Sequence, residues 1–82
     1  MERQLEAVAL AVANADPRLI PPQIRNAYAA GATVPQVLTA VEVGCCLADV
    51  PTAIILEAQR SAENWAWLAQ RLSGGSTRFV RG

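Results

Sequence analysis

Residues 27–37 read AYAAGATVPQV, and this stretch contains the clearest helix boundary in the chain. Gly31 occupies the position where many helices end in a left-handed residue, because glycine adopts that conformation without steric cost. Thr33 followed three residues later by Gln36 is typical of a capping box, and Pro35 is tolerated in the first turn of a helix. The stretch therefore predicts one helix that ends before Gly31 and another that begins after Thr33.

Apolar residues repeat at three- and four-residue steps on both sides of this boundary, which is the period of an amphipathic helix. No alternation typical of β-strands is present, so we predict an all-α fold, a compact hairpin assembly of four helices. The first three helices are predicted at about residues 2–15, 22–30 and 34–47. The fourth is predicted as a long helix with Asp49 as N-cap, Pro51 in its first turn and its end before Gly74-Gly75.

The four helices are predicted to form one domain over residues 1–72. Residues 73–82 contain Gly74-Gly75 and small polar side chains, with too little apolar content to order themselves. We therefore expect a flexible C-terminal tail over residues 73–82.

The chain has more apolar side chains than a small monomer needs for its core. Of its 82 residues, 52% are hydrophobic and 17% are charged. The apolar residues of the third helix spread around most of its circumference, which is typical of a helix that is buried on all sides. Trp65 and Trp67 are about 200° apart around a helix, so their indoles are predicted to face different neighbours. We therefore predict a homo-oligomer, with an interface that includes Val37, Val41, Cys45 and Trp67.

Charge gives no indication of a partner. The formal net charge is zero, there is no histidine, and all seven basic residues are Arg. With neither a basic patch nor an acidic tail, the sequence argues against nucleic-acid and membrane partners. Charged or amide residues break every apolar run before the roughly 18 residues that a membrane-spanning helix needs. The N-terminal residues lack the features of a secretory signal, so we expect a cytoplasmic protein.

Cys45 and Cys46 are the only cysteines, and they are adjacent. Neighbouring side chains point about 100° apart on a helix, so a disulfide between them is disfavoured. A monomer with two cysteines and no histidine cannot complete a tetrahedral zinc site, although several copies of the pair could. We interpret the pair as reduced packing residues and expect no metal and no cofactor, with a redox or metal role as the alternative.

Residues 27–37 also have the spacing of a helix-turn-helix. A recognition helix should present polar or basic side chains near its start to base edges and phosphates, whereas this one begins with Val34, Pro35 and Val37. DNA binding through this corner is therefore a minor hypothesis.

The chain resembles the helical repeat of the carboxymuconolactone decarboxylase and alkylhydroperoxidase D-like family. Residues 10–15, LAVANA, are similar to the first apolar helix of the family. Residues 29–40, AAGATVPQVLTA, are similar to the family's glycine corner and the Ala-rich helix that follows it. The resemblance covers about residues 4–60. It implies a compact all-helical scaffold.

The redox centre of that family is not retained. Counting back from Gly31, the two cysteine positions of the family fall on Asp16 and Leu19, and its histidine position falls on Gln23. Where peroxidatic members carry a glutamate, this chain has Gln4. A thiol peroxidase needs an attacking thiolate, a resolving thiol and a proton relay. The resemblance therefore implies a scaffold without thiol peroxidase activity.

Three functional hypotheses remain. We favour a homo-oligomeric, non-catalytic scaffold, or a module with an apolar pocket for a small apolar ligand. The second hypothesis is an enzyme of the decarboxylase or isomerase type that uses Glu42, Arg25 and Tyr28. Glu42 is the one charge within the apolar third helix, so it is either exposed, paired with Arg25 or functional. The third hypothesis is the DNA-binding corner.

Overall fold

The computed structural model describes residues 1–71, and this range contains no β-strand. Its helices are α1 (Glu2–Ala13), α2 (Ile20–Ala29), α3 (Val34–Leu47) and α4 (Thr52–Asn64). A turn at Trp65 follows α4, and residues 66–71 are again helical. Over residues 1–71, the prediction of an all-helical fold with four main helices is confirmed. Leu72 and the predicted tail at residues 73–82 lie outside the described residues.

The end of α2 has the geometry that its sequence predicts. Gly31 is left-handed, with a φ of 103°. Its backbone N–H donates to the carbonyl oxygen of Tyr28, and the N–H of Ala32 donates to the carbonyl oxygen of Ala27, both at 3.0 Å. These are the two bonds of a Schellman motif, which satisfies carbonyl groups that a helix end leaves unpaired.

The start of α3 has the predicted capping box, and the bounds of α3 are those predicted. The Thr33 Oγ1 atom accepts a bond from the backbone N–H of Gln36 at 3.3 Å. The Gln36 Oε1 atom accepts a bond from the backbone N–H of Thr33 at 2.9 Å. Two donors that lack a partner within the helix are thereby satisfied.

The end of α1 shows the same motif without a glycine. The backbone N–H of Ala15 donates to the carbonyl oxygen of Val12 at 2.9 Å, and that of Asp16 donates to the carbonyl oxygen of Ala11 at 3.2 Å. Ala15 is consequently left-handed, with a φ of 52°. This conformation costs a residue with a Cβ atom about 1–2 kcal/mol. The helix therefore ends at Ala13, two residues before the predicted end.

We expect Ala15→Gly to raise the free energy of unfolding by about 1 kcal/mol and Gly31→Ala to lower it by about the same amount. A Cβ atom at Gly31 would have no neighbour within 4 Å among the described residues, so backbone strain alone sets its effect. Urea denaturation followed by circular dichroism measures both changes. Changes of the same sign in the two variants would contradict this interpretation.

Helix α4 differs most from its prediction. It begins at Thr52, because Pro51 has an extended ψ of 144° and precedes the helix instead of lying in its first turn. No side chain caps this start, so Asp49 is not the N-cap. The helix ends at Asn64, and a single uninterrupted helix through Trp65 is therefore a wrong prediction.

The pair α1 and α3 packs most extensively, and the two helices run parallel, because positions further along α1 lie against positions further along α3. Leu5, near the start of α1, lies beside Thr39 in the first half of α3, while Ala9 and Val12 lie against Gly44. A Cβ atom on Gly44 would lie 2.5 Å from the carbonyl oxygen of Ala9. The glycine thus permits the close approach by which α1 covers one face of α3.

The core contains side chains from all four helices, with Ala58 and Ala62 contributed by α4. Its largest fully buried side chains are Tyr28, Ile20, Ile24, Val8, Val12, Val37 and Val41. Val37 and Val41 were expected at an interface between copies. The structure instead buries them inside one chain, because neighbouring helices of the same chain cover this face of α3.

Candidate functional site

The structure does not bring Glu42, Arg25 and Tyr28 together as a catalytic site. Glu42 is exposed on α3, and Arg25 is exposed on α2. The guanidinium group of Arg25 lies 5.9 Å from the centroid of the Trp65 ring. Within residues 1–71, no ion pair joins Arg25 to Glu42. The predicted ion pair is therefore not formed within this part of the chain.

Tyr28 has a structural hydrogen bond. Its side chain is fully buried, and its hydroxyl donates to the carbonyl oxygen of Ala62 at 2.7 Å. Ala62 lies in the last turn of α4, where carbonyl groups have no partner within their own helix. Burial raises the pKa of the Tyr28 hydroxyl, so the group remains a protonated donor at neutral pH. Helix α2 therefore supplies the donor that caps α4.

Arg25, Trp65 and Trp67 form a group at this end of α4, which we name the tryptophan cluster. The two indole centroids are 5.9 Å apart, and the ring planes are inclined by 33°. The Arg25 guanidinium lies at cation–π distance from Trp65. Trp65 is half-buried and packs against the core, whereas Trp67 is 49% exposed. The cluster is thus fixed on its core side and open to solvent on the other.

The contact between the two indoles corrects the prediction that they face different neighbours. That prediction assumed one continuous helix through Trp65 and Trp67. Trp65 instead follows the end of α4 and forms a turn, with φ of −95° and ψ of 3°. Helical periodicity therefore does not relate the two side chains, and their rings meet.

Of the four predicted interface residues, Trp67 alone is exposed. Val37 and Val41 belong to the core, and Cys45 is half-buried and packs against it. In place of these residues, α3 exposes Val43 and Leu47 to solvent.

Cys45 and Cys46 are free thiols near the end of α3, and Cys46 is exposed. Burial, and to a smaller extent Cys46 and Glu42, raises the pKa of the Cys45 thiol. A raised pKa lowers the thiolate fraction at neutral pH, which makes Cys45 a poor nucleophile. Across residues 1–71, no group of three or more His, Cys, Asp or Glu side chains is placed to hold a metal ion.

The positions to which the family resemblance assigns the redox centre lie around the connection between α1 and α2. Asp16 and Leu19 are in this connection, and Gln23 is in the first turn of α2. The Asp16 carboxylate accepts a bond from the backbone N–H of Arg18 at 3.0 Å. These side chains supply neither a thiolate nor an imidazole, so they cannot carry out thiol–disulfide chemistry.

A cleft of about 310 Å³ lies between the α2–α3 corner and residues 69–70. No charged side chain lines it within the described part of the chain. Among its polar side chains, Tyr28 is bonded to Ala62 and Thr33 belongs to the capping box, which leaves Gln70. A small apolar ligand would therefore be recognised mainly by its shape, with few polar groups to orient it.

Sequence reasoning missed two features, Gly44 and the contact between Arg25 and Trp65. A glycine has no side chain that enters an apolar pattern, so its close contact with α1 is invisible until the helices are paired. Arg25 and Trp65 are 40 residues apart. The one sequence feature that pointed toward this contact is that Arg25 and Tyr28, at positions i and i+3, share one face of α2, and Tyr28 bonds to α4.

Comparisons with models of protein families, with curated proteins and with solved structures give no match for this chain. None of the helices within residues 1–71 has both the length and the apolar character needed to cross a membrane. Within residues 1–71, the tryptophan cluster is the most distinctive feature of the surface.

Proposed function

We propose that this chain is a self-associating helical scaffold without catalytic chemistry of its own, and that the tryptophan cluster is its contact surface. The observation that carries the proposal is the 49% exposure of Trp67 beside the half-buried Trp65. Exposing a large apolar ring to water is unfavourable, and association relieves this exposure. Trp and Arg are also the side chains most enriched among residues that dominate binding energy at interfaces.

The arrangement of the cluster favours binding. Trp65 is held by the core, and it in turn contacts both Trp67 and Arg25. Side chains that are already ordered lose less conformational entropy when a partner binds. The cluster therefore presents a partly preorganised surface.

The other functional hypotheses lack comparable support. The enzyme hypothesis needs Glu42, Arg25 and Tyr28 in one pocket, yet Glu42 is exposed and the Tyr28 hydroxyl is bonded to Ala62. The ligand hypothesis has the cleft near residues 69–70, which offers little polar recognition. DNA binding would use the start of α3, which carries no basic side chain.

We also propose that the scaffold is related to the carboxymuconolactone decarboxylase and alkylhydroperoxidase D-like family. The proposal is supported by the glycine corner and capping box, which lie in the stretch that carries the resemblance. Under this proposal, the helical scaffold is kept while the thiol and imidazole positions are occupied by Asp16, Leu19 and Gln23.

Trp67→Ala is expected to weaken self-association by about tenfold or more, because aromatic anchors carry a disproportionate share of interface energy. Sedimentation velocity across a dilution series measures this change. Leu56→Ala is the matched control, because Leu56 is 54% exposed on α4, next to Glu57. We expect the control to associate like the wild type.

A wild-type chain that stays monomeric at the highest concentration would overturn the proposed function. Equal association of wild type and Trp67→Ala would remove the tryptophan cluster as the contact surface.

A further inference from the structure

We infer that the tryptophan cluster binds the exposed face of α3 on a second copy of this chain. The inference rests on the proposed function and adds the identity of the partner surface. That surface, here the α3 outer face, is defined by exposed residues spaced along one side of the helix: Thr39, Glu42, Val43, Cys46 and Leu47.

The α3 outer face is apolar for a surface exposed to water. Val43 is 45% exposed and Leu47 is 62% exposed. They are four residues apart and therefore adjacent on the helix surface. The side chains of Val43 and Leu47 together offer apolar area that the indole ring of Trp67 can cover.

The charges of the two surfaces are opposite. Glu42 is the only charged residue of α3. The cluster carries Arg25, and Arg71 lies four positions after Trp67 within the helical residues 66–71, on the same side. The nearest acid in sequence to Trp65 is Glu63, which belongs to α4, and within the described residues it forms no ion pair with Arg25.

One chain therefore carries two complementary surfaces, the tryptophan cluster and the α3 outer face. Their opposite charges do not pair with each other within the described residues of the chain. Within the described residues, Arg25 contacts Trp65 and forms no ion pair with Glu42. A contact between copies would cover Trp67 and Leu47 together and would place Glu42 near Arg25. This complementarity favours a second copy over an unrelated partner.

The contact joins two different patches of the same chain. If both patches meet their counterparts on the same neighbour, the contact is reciprocal and closes a two-fold dimer; if they meet different neighbours, the subunits form a ring or an open chain.

Charge exchange between two variants tests the inference. Arg25→Glu places an acid opposite Glu42, and Glu42→Arg places a base opposite Arg25, so each variant alone should associate about tenfold more weakly than wild type or worse. In an equimolar mixture, every contact between the two different variants again pairs opposite charges. We expect the mixture to regain association within about threefold of wild type. Sedimentation velocity of each variant and of the mixture gives the result, and circular dichroism checks folding at these exposed positions.

Arg60→Glu and Glu57→Arg are the matched controls, because both residues are exposed on α4 and the changes in net charge are the same. Each control alone should associate like wild type. Wild-type association by Arg25→Glu or Glu42→Arg alone would overturn the inference, as would a mixture that stays dissociated. A dissociated mixture beside a self-associating wild type would leave the proposed function intact, whereas a monomeric wild type would remove both.

Discussion

Replacing Tyr28 with Ala is expected to lower the free energy of unfolding by about 3–5 kcal/mol, the range for removing a large buried aromatic side chain. Tyr28 is among the largest fully buried side chains and packs in the core with residues of all four helices. A chain of 82 residues has little other apolar volume with which to fill the cavity. The substitution also removes the hydroxyl donor to Ala62. Urea denaturation followed by circular dichroism measures the loss.

Tyr28→Phe separates the contribution of the ring from that of the hydrogen bond. The ring stays, while the carbonyl oxygen of Ala62 loses its 2.7 Å partner. We expect a loss of about 1–2 kcal/mol, because a buried acceptor is left without its donor. Wild-type stability of this variant would show that the hydroxyl does not stabilise the end of α4.

Trp67→Ala is the control for removing an aromatic side chain, because Trp67 is exposed whereas Tyr28 is buried. At concentrations that keep the chain monomeric, its stability should stay within about 0.5 kcal/mol of wild type. A cost as large as that of Tyr28→Ala would mean that the ring at position 67 belongs to the core.

Gly44→Ala is expected to lower the free energy of unfolding by about 3 kcal/mol, at the upper end of the usual range for overpacking. The new Cβ atom would lie 2.5 Å from the carbonyl oxygen of Ala9 and 2.8 Å from the Cβ atom of Val12. The Ala9 oxygen is a backbone atom, and the Cβ atom of Val12 is bonded directly to the backbone, so no change of rotamer relieves either contact. Helices α1 and α3 would have to move apart. Urea denaturation measures the loss.

The sign of this effect is informative. In an exposed helix interior, Gly→Ala stabilises by about 1 kcal/mol, so a destabilising result isolates the steric contact with α1. Val43→Ala is the control on the adjacent, exposed position of α3, and at concentrations that keep the chain monomeric we expect a change within about 0.5 kcal/mol. A Gly44→Ala variant as stable as wild type would mean that α1 and α3 are not in close contact at this position.

At the corner between α2 and α3 the deciding interactions are local, and there the sequence was sufficient. The bounds of α3 and the corner before it depend on Gly31, Thr33 and Gln36, which bond to groups within a few residues of themselves. The repeat of apolar residues at three- and four-residue steps, which is also a local pattern, predicted the helical fold. The left-handed residue after α1 was missed because Ala15 carries no sequence signal for that conformation.

The candidate site was decided by tertiary structure, because its contacts join distant segments. Arg25 and Trp65 meet across 40 residues, and Tyr28 caps α4 across 34. The turn at Trp65 brings two indoles together that a continuous helix would separate. The sequence by itself determined where α2 ends and where α3 begins and ends, since caps and turn residues act on their neighbours. Tertiary structure alone decided that Val37 and Val41 are core while Trp67 and Leu47 are surface, because the exposure of an apolar residue depends on which helix covers it.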